Sequence, residues 1–342
     1  MKIAEIAPPY LPVPPVGYGG IELVVSSLAD GLAERGHEVT LFASGGSTTK
    51  AELVSPFEDA PGPEHLGELA FGLSHGFAAH TDERQFDVIH DHTLAGPAMA
   101  AVSGHPALVH TLHGPWTPAM RSYYARLHDK VHLVAISESQ RGENPDVDYA
   151  GTVPNGIKVE AHPFREDKED FLVYIGRATP DKGPVETIQV AKRAGLPLAL
   201  VLKHSEPQEE RYFRREVEPL LDDSIEVFAH VEHDQKVDLL SRARAMVFAI
   251  QWQEPFGLVM AEAMACGTPV VSRPMGAARE VVRDGVTGFL RDSVGEMAEA
   301  VGEIDRIRPA DCRAWVEERY STQAMVEGYE RIFERVCEKV AA

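Results

Sequence analysis

The feature that most constrains this chain is an alternation of apolar strands and amphipathic helices, which begins twice. In the first half KIAEIA (2–7) precedes a loop rich in proline and glycine, a helical segment and HEVTLFAS (37–44). In the second half DFLVYIG (170–176) precedes a loop, a helical segment and LPLALVLK (196–203). This order is typical of parallel α/β sheets. Because single cores seldom exceed about 300 residues, the 342 residues predict two α/β domains.

We place the boundary between the domains near a charged stretch, HPFREDKED. The predicted domains are residues 1–160 and 161–322, followed by a helix over 323–342 that packs back toward the N-terminal domain. One face of this last helix is apolar, and its residues are Met325, Tyr329, Ile332, Phe333, Val336 and Val340. Such a stripe is typical of a packed helix.

Composition excludes several classes of function. The formal net charge is -20, which argues against non-specific binding to nucleic acid or anionic membranes. No apolar run approaches the roughly 20 residues that span a bilayer, and the N-terminus reads as a strand rather than a signal peptide. The three cysteines are widely spaced without a CxxC pair, as in proteins of a reducing compartment. We therefore predict a cytoplasmic protein, and the oligomeric state is left open.

The first glycine-rich loop, GYGG, lies between the first strand and the first helix. Backbone amides at such a helix start can receive a phosphate group, and Gly19 and Gly20 would let it approach closely. Ordinary turn formation is the alternative interpretation. An NAD site also needs a carboxylate at the end of the second strand, but that strand ends in Leu41-Phe42-Ala43-Ser44. This disfavours an NAD oxidoreductase.

The loop GRATPDKG (176–183) occupies the equivalent position in the second domain. Arg177 and Lys182 flank its Pro-Asp turn at the edge where open α/β sheets bind ligands. Arg with its fork and Lys as a point charge could together bind a diphosphate, and Lys203 at the end of the next strand is a third candidate cation. The alternative is a charged loop that is merely solvated.

Two carboxylates bracket EPFGLVMAE, in which Pro255 suits the first position of a helix. Glu254 would then stand beside the helix start, with Glu262 two turns along, about 12 Å away. The helix start would also present backbone amides that lack intrahelical partners, those of Phe256, Gly257 and Leu258. This arrangement fits a ligand with hydroxyl groups at both ends and a diphosphate between them, such as a sugar nucleotide. A solvent-exposed helical residue is the alternative for Glu262.

With these motifs in order, the chain resembles the family-4 retaining glycosyltransferases. The resemblance spans nearly the whole sequence. Its pieces in the first half are GYGGIE, DVIHDH, TLHG, AIS and VPNGI, and in the second half GRATPDKG, EPFGLVMAEAMACGTPVV and GAAREVVRDGVTGFL. The resemblance implies the glycosyltransferase-B fold, in which two Rossmann-like parallel-sheet domains face each other across a cleft.

The resemblance also implies roles for individual residues. Glu262 would hold the ribose of the donor, and Glu254 would contact the donor sugar with help from the amides of residues 256–258. Arg177 and Lys182 would stabilise the leaving diphosphate. From the other domain, Gly19 and Gly20 would meet that diphosphate, and His113 would lie near the transferred sugar.

The chain departs from the family pattern at four places, of which one is Lys203, at a strand end where glycines are common. His230 and Val231 follow Ala229 where the family favours glycine beside the base, so the base contacts assigned to them are open. Trp252 stands where a small Ser or Pro is usual and would narrow or reshape the site. Lys158 replaces a residue that is commonly acidic.

We therefore expect an enzyme that moves a sugar from a nucleoside diphosphate sugar to the hydroxyl of a soluble small molecule or natural product, with retention. UDP is the expected nucleotide, and no metal or other cofactor is expected. HDH (90–92) makes a poor metal site, because its two imidazoles share one side of a strand while Asp91 faces away. Acceptor binding is expected in the N-terminal domain, where Trp116, Tyr123 and Tyr124 could stack on a sugar or pack in a helix. A nucleotide-sugar epimerase and a non-catalytic sugar-nucleotide-binding protein are the alternatives.

Overall fold

The computed structural model describes residues 1–17, 19–127, 130–204, 206–229 and 231–341. They form two compact units. The first consists of Met1–Gly156 together with the C-terminal segment that begins at Thr322. The second unit is Ile157–Ser321. The chain enters and leaves the second unit side by side, since the Ile157 amide donates to the Tyr320 carbonyl at 2.8 Å. The observed limits differ from the predicted ones by a few residues.

The described part of the first unit contains a parallel sheet of seven strands in the order β3-β2-β1-β4-β5-β6-β7. The strands are β1 Lys2–Ile6, β2 Glu38–Phe42, β3 Glu52–Val54, β4 Val88–Asp91, β5 Leu108–Leu112, β6 His132–Ala135 and β7 Tyr149–Thr152. The helices are α1 Gly20–Glu34, α2 Leu69–His80, α3 Gly96–Ser103, α4 Pro118–Tyr124 and α5 Glu138–Gly142. The central strands are almost continuously apolar because both faces of a parallel sheet are covered. Glu5 and His90 are buried exceptions that face each other in the β1–β4 register.

The second unit repeats the design with a parallel sheet of six strands in the order β10-β9-β8-β11-β12-β13. These strands are β8 Glu169–Arg177, β9 Leu198–Lys203, β10 Ile225–Phe228, β11 Ala243–Phe248, β12 Val270–Ser272 and β13 Gly288–Leu290. Its helices are α6 Pro184–Ala194, α7 Pro207–Tyr212, α8 His233–Arg242, α9 Leu258–Ala265, α10 Ala278–Val281, α11 Val294–Gly302 and α12 Pro309–Arg319. The prediction of two parallel α/β domains is confirmed.

The last helix, α13 (Thr322–Ala341), belongs to the first unit, where it packs against α1 and β7. A Cβ atom on Gly31 of α1 would lie 2.7 Å from Val326, so the close approach of the two helices requires glycine there. The apolar face predicted from the sequence is buried except for Val340, which is 42% exposed. For Val340 the prediction was wrong, because this residue lies in the last turn of the helix, where less of the unit covers it. Among the described helices, none is long and apolar enough to span a membrane.

Candidate active site

Three cations lie at the carboxyl edge of the second sheet. Arg177 ends β8, Lys203 ends β9, and the two residues are paired directly in the strand register. Lys182 follows in the 3₁₀ turn Pro180–Lys182. Gly183 closes this turn at φ 68°, and a Cβ atom there would collide with the carbonyl oxygen of Ala249. The turn is therefore held against the end of β11, and its lysine stays close to the edge of the sheet.

Each of these cations has a carboxylate within reach. Arg177 lies 4.0 Å from Asp181 and from the buried Glu209, which is beyond hydrogen-bond distance. Lys203 lies 3.3 Å from Glu206. The Arg177 side chain is one-third exposed, and neither carboxylate is within hydrogen-bond distance of it, so its guanidinium can reach a bound anion.

Glu254 is held by two side chains at once. Lys182 Nζ lies 2.6 Å from Glu254 Oε2, and the indole Nε1 of Trp252 donates to the same oxygen at 2.9 Å. Lys182 also lies 4.5 Å from the centre of the Trp252 ring, in cation–π contact. Glu254 is 7% exposed. Trp252, which departs from the family pattern, thus binds directly to Glu254, the carboxylate expected to contact the donor sugar.

The helix after Glu254 begins later than the sequence predicts. We expected Pro255 at its first position, but α9 starts at Leu258, with Gly257 as the N-cap at φ 82°. The prediction was wrong because Glu254 is tied down separately: its carbonyl accepts from the Ala277 amide at 2.8 Å. A Cβ atom on Gly276 would collide with the Glu254 backbone. The backbone at Glu254 therefore packs directly against Gly276, and the helix begins only after this contact.

Gly257 and Leu258 lie at the helix start as predicted, but Phe256 precedes the N-cap, so for its amide the prediction was wrong. Phe256 is buried and packs edge to face on Tyr320, with ring centres 5.6 Å apart. Leu258 is half-buried as the first residue of α9. The first amides of a helix have no intrahelical acceptor, so this end of α9 offers donors three to four residues after Glu254.

Glu262 is a buried member of an ion pair. It is 4% exposed, which rules out the surface alternative, and Lys236 of α8 lies 2.7 Å from its Oε1. His162 Nε2 lies 4.0 Å away. Burial alone would raise the pKa of Glu262, but the charges of Lys236 and His162 hold it below its ordinary value. Sequence reasoning missed Lys236, which lies in no motif.

The candidate base contacts are only partly described. Val231 is half-buried in the segment between β10 and α8. His230 lies outside the described residues. The base contacts assigned to both residues stay a prediction.

In the first unit the glycine loop ends at the start of α1. Gly19 is the N-cap of this helix at φ 156°, and Gly20 is its first residue. A Cβ atom on Gly19 would lie 2.6 Å from Pro15, so the loop cannot pass this proline with a larger residue. Gly19 is therefore required by the backbone itself.

His113 follows β5 and ends a chain of buried polar groups. Its Nε2 lies 2.8 Å from His92 Nδ1, and His92 Nε2 lies 3.1 Å from Glu5. On the other side of Glu5, His90 Nδ1 lies 3.0 Å from the carboxylate and His90 Nε2 lies 2.8 Å from Thr111 Oγ1. Tyr329 of α13 completes the chain, with its hydroxyl 2.8 Å from Thr111. We call these six residues the Glu5 chain.

The Glu5 chain includes a possible metal-ligand set. Among the described residues, Glu5, His90 and His92 form a group whose donor atoms lie within 4.8 Å of one another. All these atoms are already hydrogen-bonded within the chain, so a metal ion would have to replace those bonds. The expectation that His90 and His92 share one side of the strand is confirmed, since Asp91 turns the other way and lies 3.1 Å from His80. Sequence reasoning missed Glu5.

Comparison with known proteins decides the family. Residues 158–320 match the family described as "Glycosyl transferases group 1", and residues 18–161 match "Glycosyltransferase Family 4". The chain belongs to the family-4 glycosyltransferases. A D-inositol 3-phosphate glycosyltransferase of Xylanimonas cellulosilytica is 29% identical over 345 residues, covering 82% of each chain.

Solved structures share the fold of this glycosyltransferase. AviGT4, a glycosyltransferase involved in avilamycin A biosynthesis, matches with a TM-score of 0.77 and 24% identity, covering 99% of this chain and 98% of that one. Anabaena Alr3699/HepE in complex with UDP and glucose matches with a TM-score of 0.75 and 19% identity, covering 98% and 100%. The two units therefore have the Rossmann-like domains of the glycosyltransferase-B fold.

Burial lowers the pKa values of the three histidines of the Glu5 chain in this glycosyltransferase. It lowers the pKa of His90 to about 3 and of His92 to about 4. Burial and the neighbouring histidines hold the pKa of His113 well below its ordinary value. Burial also raises the pKa of Glu5. When Glu5 is ionised it accepts from both His90 and His92, so His92 Nδ1 must accept from His113 and the second ring nitrogen of His113 carries no proton.

The aromatic side chains proposed for acceptor binding mostly belong to the core. Trp116 is 8% exposed and its Nε1 donates to the Gln140 carbonyl at 2.9 Å. Tyr124 is buried and its hydroxyl lies 2.8 Å from His110. Packing, the alternative interpretation, therefore applies to these two residues. Tyr123 is half-buried, with its hydroxyl donating to the Leu94 carbonyl at 2.6 Å.

Proposed function

We propose that this glycosyltransferase moves a sugar from a nucleoside diphosphate sugar to an acceptor hydroxyl, with retention at the anomeric carbon. The observation that carries the proposal is the grouping at one edge of the second sheet. Arg177, Lys182 and Lys203 supply positive charge there, and Lys182 is in direct contact with Glu254. A diphosphate needs such cations, and hydroxyl groups beside it need such carboxylates.

The proposed reaction depends on electrostatic stabilisation. As the bond from the sugar to the diphosphate breaks, negative charge develops on the departing oxygen, and Arg177 and Lys182 stabilise it. Glu254 accepts hydrogen bonds from the transferred sugar, while Glu262 accepts from the ribose. The leaving phosphate takes the proton of the attacking acceptor hydroxyl on the same face of the sugar. For His113, Gly19 and Gly20 of the first unit, the roles that the family resemblance implies stay predictions.

Binding of the donor would exchange one set of ion pairs for another. Lys182 is paired with Glu254 at 2.6 Å, and a diphosphate would compete for the same ammonium group. Because lysine and arginine already neutralise the diphosphate in this scheme, the proposed reaction needs no divalent metal ion.

UDP is the proposed nucleotide, and a soluble small molecule is the proposed acceptor. The Anabaena structure, which shares the fold, holds UDP and glucose. The named relatives act in avilamycin A biosynthesis or on D-inositol 3-phosphate, which supports a small hydroxylated acceptor. The exact sugar and acceptor are matters for a donor and acceptor screen.

A transfer assay with NMR detection of the anomeric configuration tests the proposal. UDP-sugars are incubated with a panel of polyol and natural-product acceptors, with and without EDTA. We expect a product with the anomeric configuration of the donor, formed equally well with EDTA. Inversion would contradict the mechanism. Epimerised donor formed without acceptor would indicate an epimerase, and tight UDP-sugar binding without turnover would indicate a binding protein.

A further inference from the structure

Trp252 touches both charged groups of the proposed donor site. It follows the end of β11 and stands two residues before Glu254. Its indole Nε1 donates to Glu254 Oε2 at 2.9 Å, while its ring face lies 4.5 Å from the Lys182 ammonium group. One side chain therefore contacts a carboxylate through its polar edge and a cation through its face.

The two carboxylate oxygens of Glu254 have different surroundings. Among the described residues, the hydrogen bonds to this carboxylate, from Lys182 and Trp252, both end on Oε2. Oε1 is thus the oxygen that a sugar hydroxyl can approach. The carboxylate is mostly buried, so its orientation depends on the donors that hold Oε2.

The two donors differ in what a ligand does to them. A diphosphate attracts the Lys182 ammonium group, which sits on a flexible stem. The Trp252 indole carries no charge and is not drawn to phosphate. When Lys182 turns toward the diphosphate, the indole N–H remains on Oε2 and keeps Glu254 from rotating.

We propose that Trp252 is a positioning residue that keeps Glu254 aimed at the transferred sugar once Lys182 has engaged the diphosphate. It thereby raises the affinity for a nucleotide sugar over that for the bare nucleotide. This inference rests on the proposed function, since it deepens the role of the same site. Substitutions of Trp252 can therefore remove its hydrogen bond to Glu254 while keeping its ring contact with Lys182.

The experiment compares Trp252→Phe, Trp252→Ala and the matched control Trp315→Phe. Trp315 also donates its Nε1 to an acceptor, the Val281 carbonyl at 2.9 Å, and also lies under a cation, Arg319 at 4.8 Å. Calorimetry measures binding of UDP, GDP, dTDP and ADP, and of the UDP-, GDP-, dTDP- and ADP-glucose counterparts.

We expect Trp252→Phe to bind the diphosphate within about twofold of wild type, because the ring face over Lys182 is kept. Its affinity for the nucleotide sugar should fall about tenfold, because the bond to a charged acceptor is lost. Trp252→Ala should weaken both, and Trp315→Phe neither. If Trp252→Phe misfolds, Trp252→Leu, which also lacks a side-chain donor, replaces it, and the ratio of the two affinities is compared in the same way. An unchanged ratio of the two affinities in Trp252→Phe would overturn the proposal.

A second arm needs no ligand and separates this inference from the proposed function. The urea midpoints of Trp252→Phe, Glu254→Gln and the double variant form a double-mutant cycle. We expect Glu254→Gln to shift the midpoint less in the Trp252→Phe background than in wild type. Additive shifts would overturn the proposal. Coupled shifts in a protein that binds no nucleotide would reject the donor assignment while the contact itself stands.

Discussion

Lys182 is the residue whose charge the proposed mechanism uses most directly, since it faces Glu254 now and would face the diphosphate in the complex. We predict that Lys182→Met lowers kcat by about 100-fold or more, as loss of one oxyanion-stabilising group does. Arg177→Ala should behave similarly. The measurement is steady-state transfer with the best donor of the screen.

Lys192→Met is the control for this prediction. Lys192 is an α6 lysine that pairs with Asp222 at 2.6 Å on an exposed surface. Such pairs contribute about 0–1 kcal/mol to stability, and kcat should stay within about twofold of wild type. Equal losses in the Lys192 and Lys182 variants would show that the charge at Lys182 has no special role.

Gly257 allows a second test at the residue scale. Gly257 and Gly285 both have positive φ, at 82° and 74°, but only at Gly257 would a Cβ atom meet a neighbour, Met260 Cε at 2.5 Å. We predict that Gly285→Ala costs about 1 kcal/mol of stability for the left-handed backbone. Gly257→Ala should cost more, because the buried Met260 side chain must also shift its terminal methyl group. Urea unfolding of both variants checks this, and equal losses would contradict it.

At the scale of elements, the buried histidines of the first unit predict sensitivity to acid. Burial lowers the pKa of His75, His92 and His110 to about 4, whereas an unfolded histidine has its pKa near 6.5. Below about pH 6.5 the unfolded chain therefore binds protons that the folded chain does not. The free energy of unfolding consequently decreases as the pH is lowered, until the pKa values of the folded state are reached. Glu5, whose pKa burial raises, acts in the opposite direction and offsets part of this loss.

We predict that each such histidine costs about 2 kcal/mol of stability between pH 7 and pH 5. His75→Phe should flatten the dependence of the unfolding midpoint on pH over this range, because phenylalanine takes up no proton. Denaturant unfolding at pH 7, 6 and 5 of wild type and His75→Phe is the measurement. Parallel curves would contradict the prediction.

The strands of the central sheets could be predicted because burial on both faces makes them apolar without interruption. The edge strands β3 and β7 were missed, since they span only three and four residues and carry few of the apolar residues that mark buried strands. The start of α9 was misplaced because Gly276, 19 residues beyond Gly257 in the sequence, determines the path of Glu254.

The partners of the candidate site residues could likewise be predicted only where they lie in the same local motif. Arg177, Lys182, Glu254 and Glu262 lie in local motifs and could be found from the sequence. Lys236 and Glu5 could not, because Lys236 reaches Glu262 only when α8 packs on α9, and Glu5 meets His90 only in the strand register. Trp252 stood out as a departure from the family, but the atom it contacts depends on the fold.

At the scale of the whole molecule, the protein has two units of one fold type. The residues proposed to bind the donor are concentrated in the second unit. Both family descriptions match, over residues 18–161 and 158–320. The net charge of -20 is unfavourable for a diphosphate at long range, so its binding depends on a local cluster of cations.

Thermal unfolding with a panel of nucleotides tests the central claim most directly. UDP, GDP, dTDP, ADP and NAD are added to wild type and to Lys182→Met, with and without EDTA. A ligand at 100 times its Kd should add about 2.7 kcal/mol of stability. We predict that one nucleoside diphosphate, UDP, raises the unfolding temperature of wild type, that EDTA does not change this, and that Lys182→Met loses most of it. A response to NAD with none to any diphosphate would contradict the account.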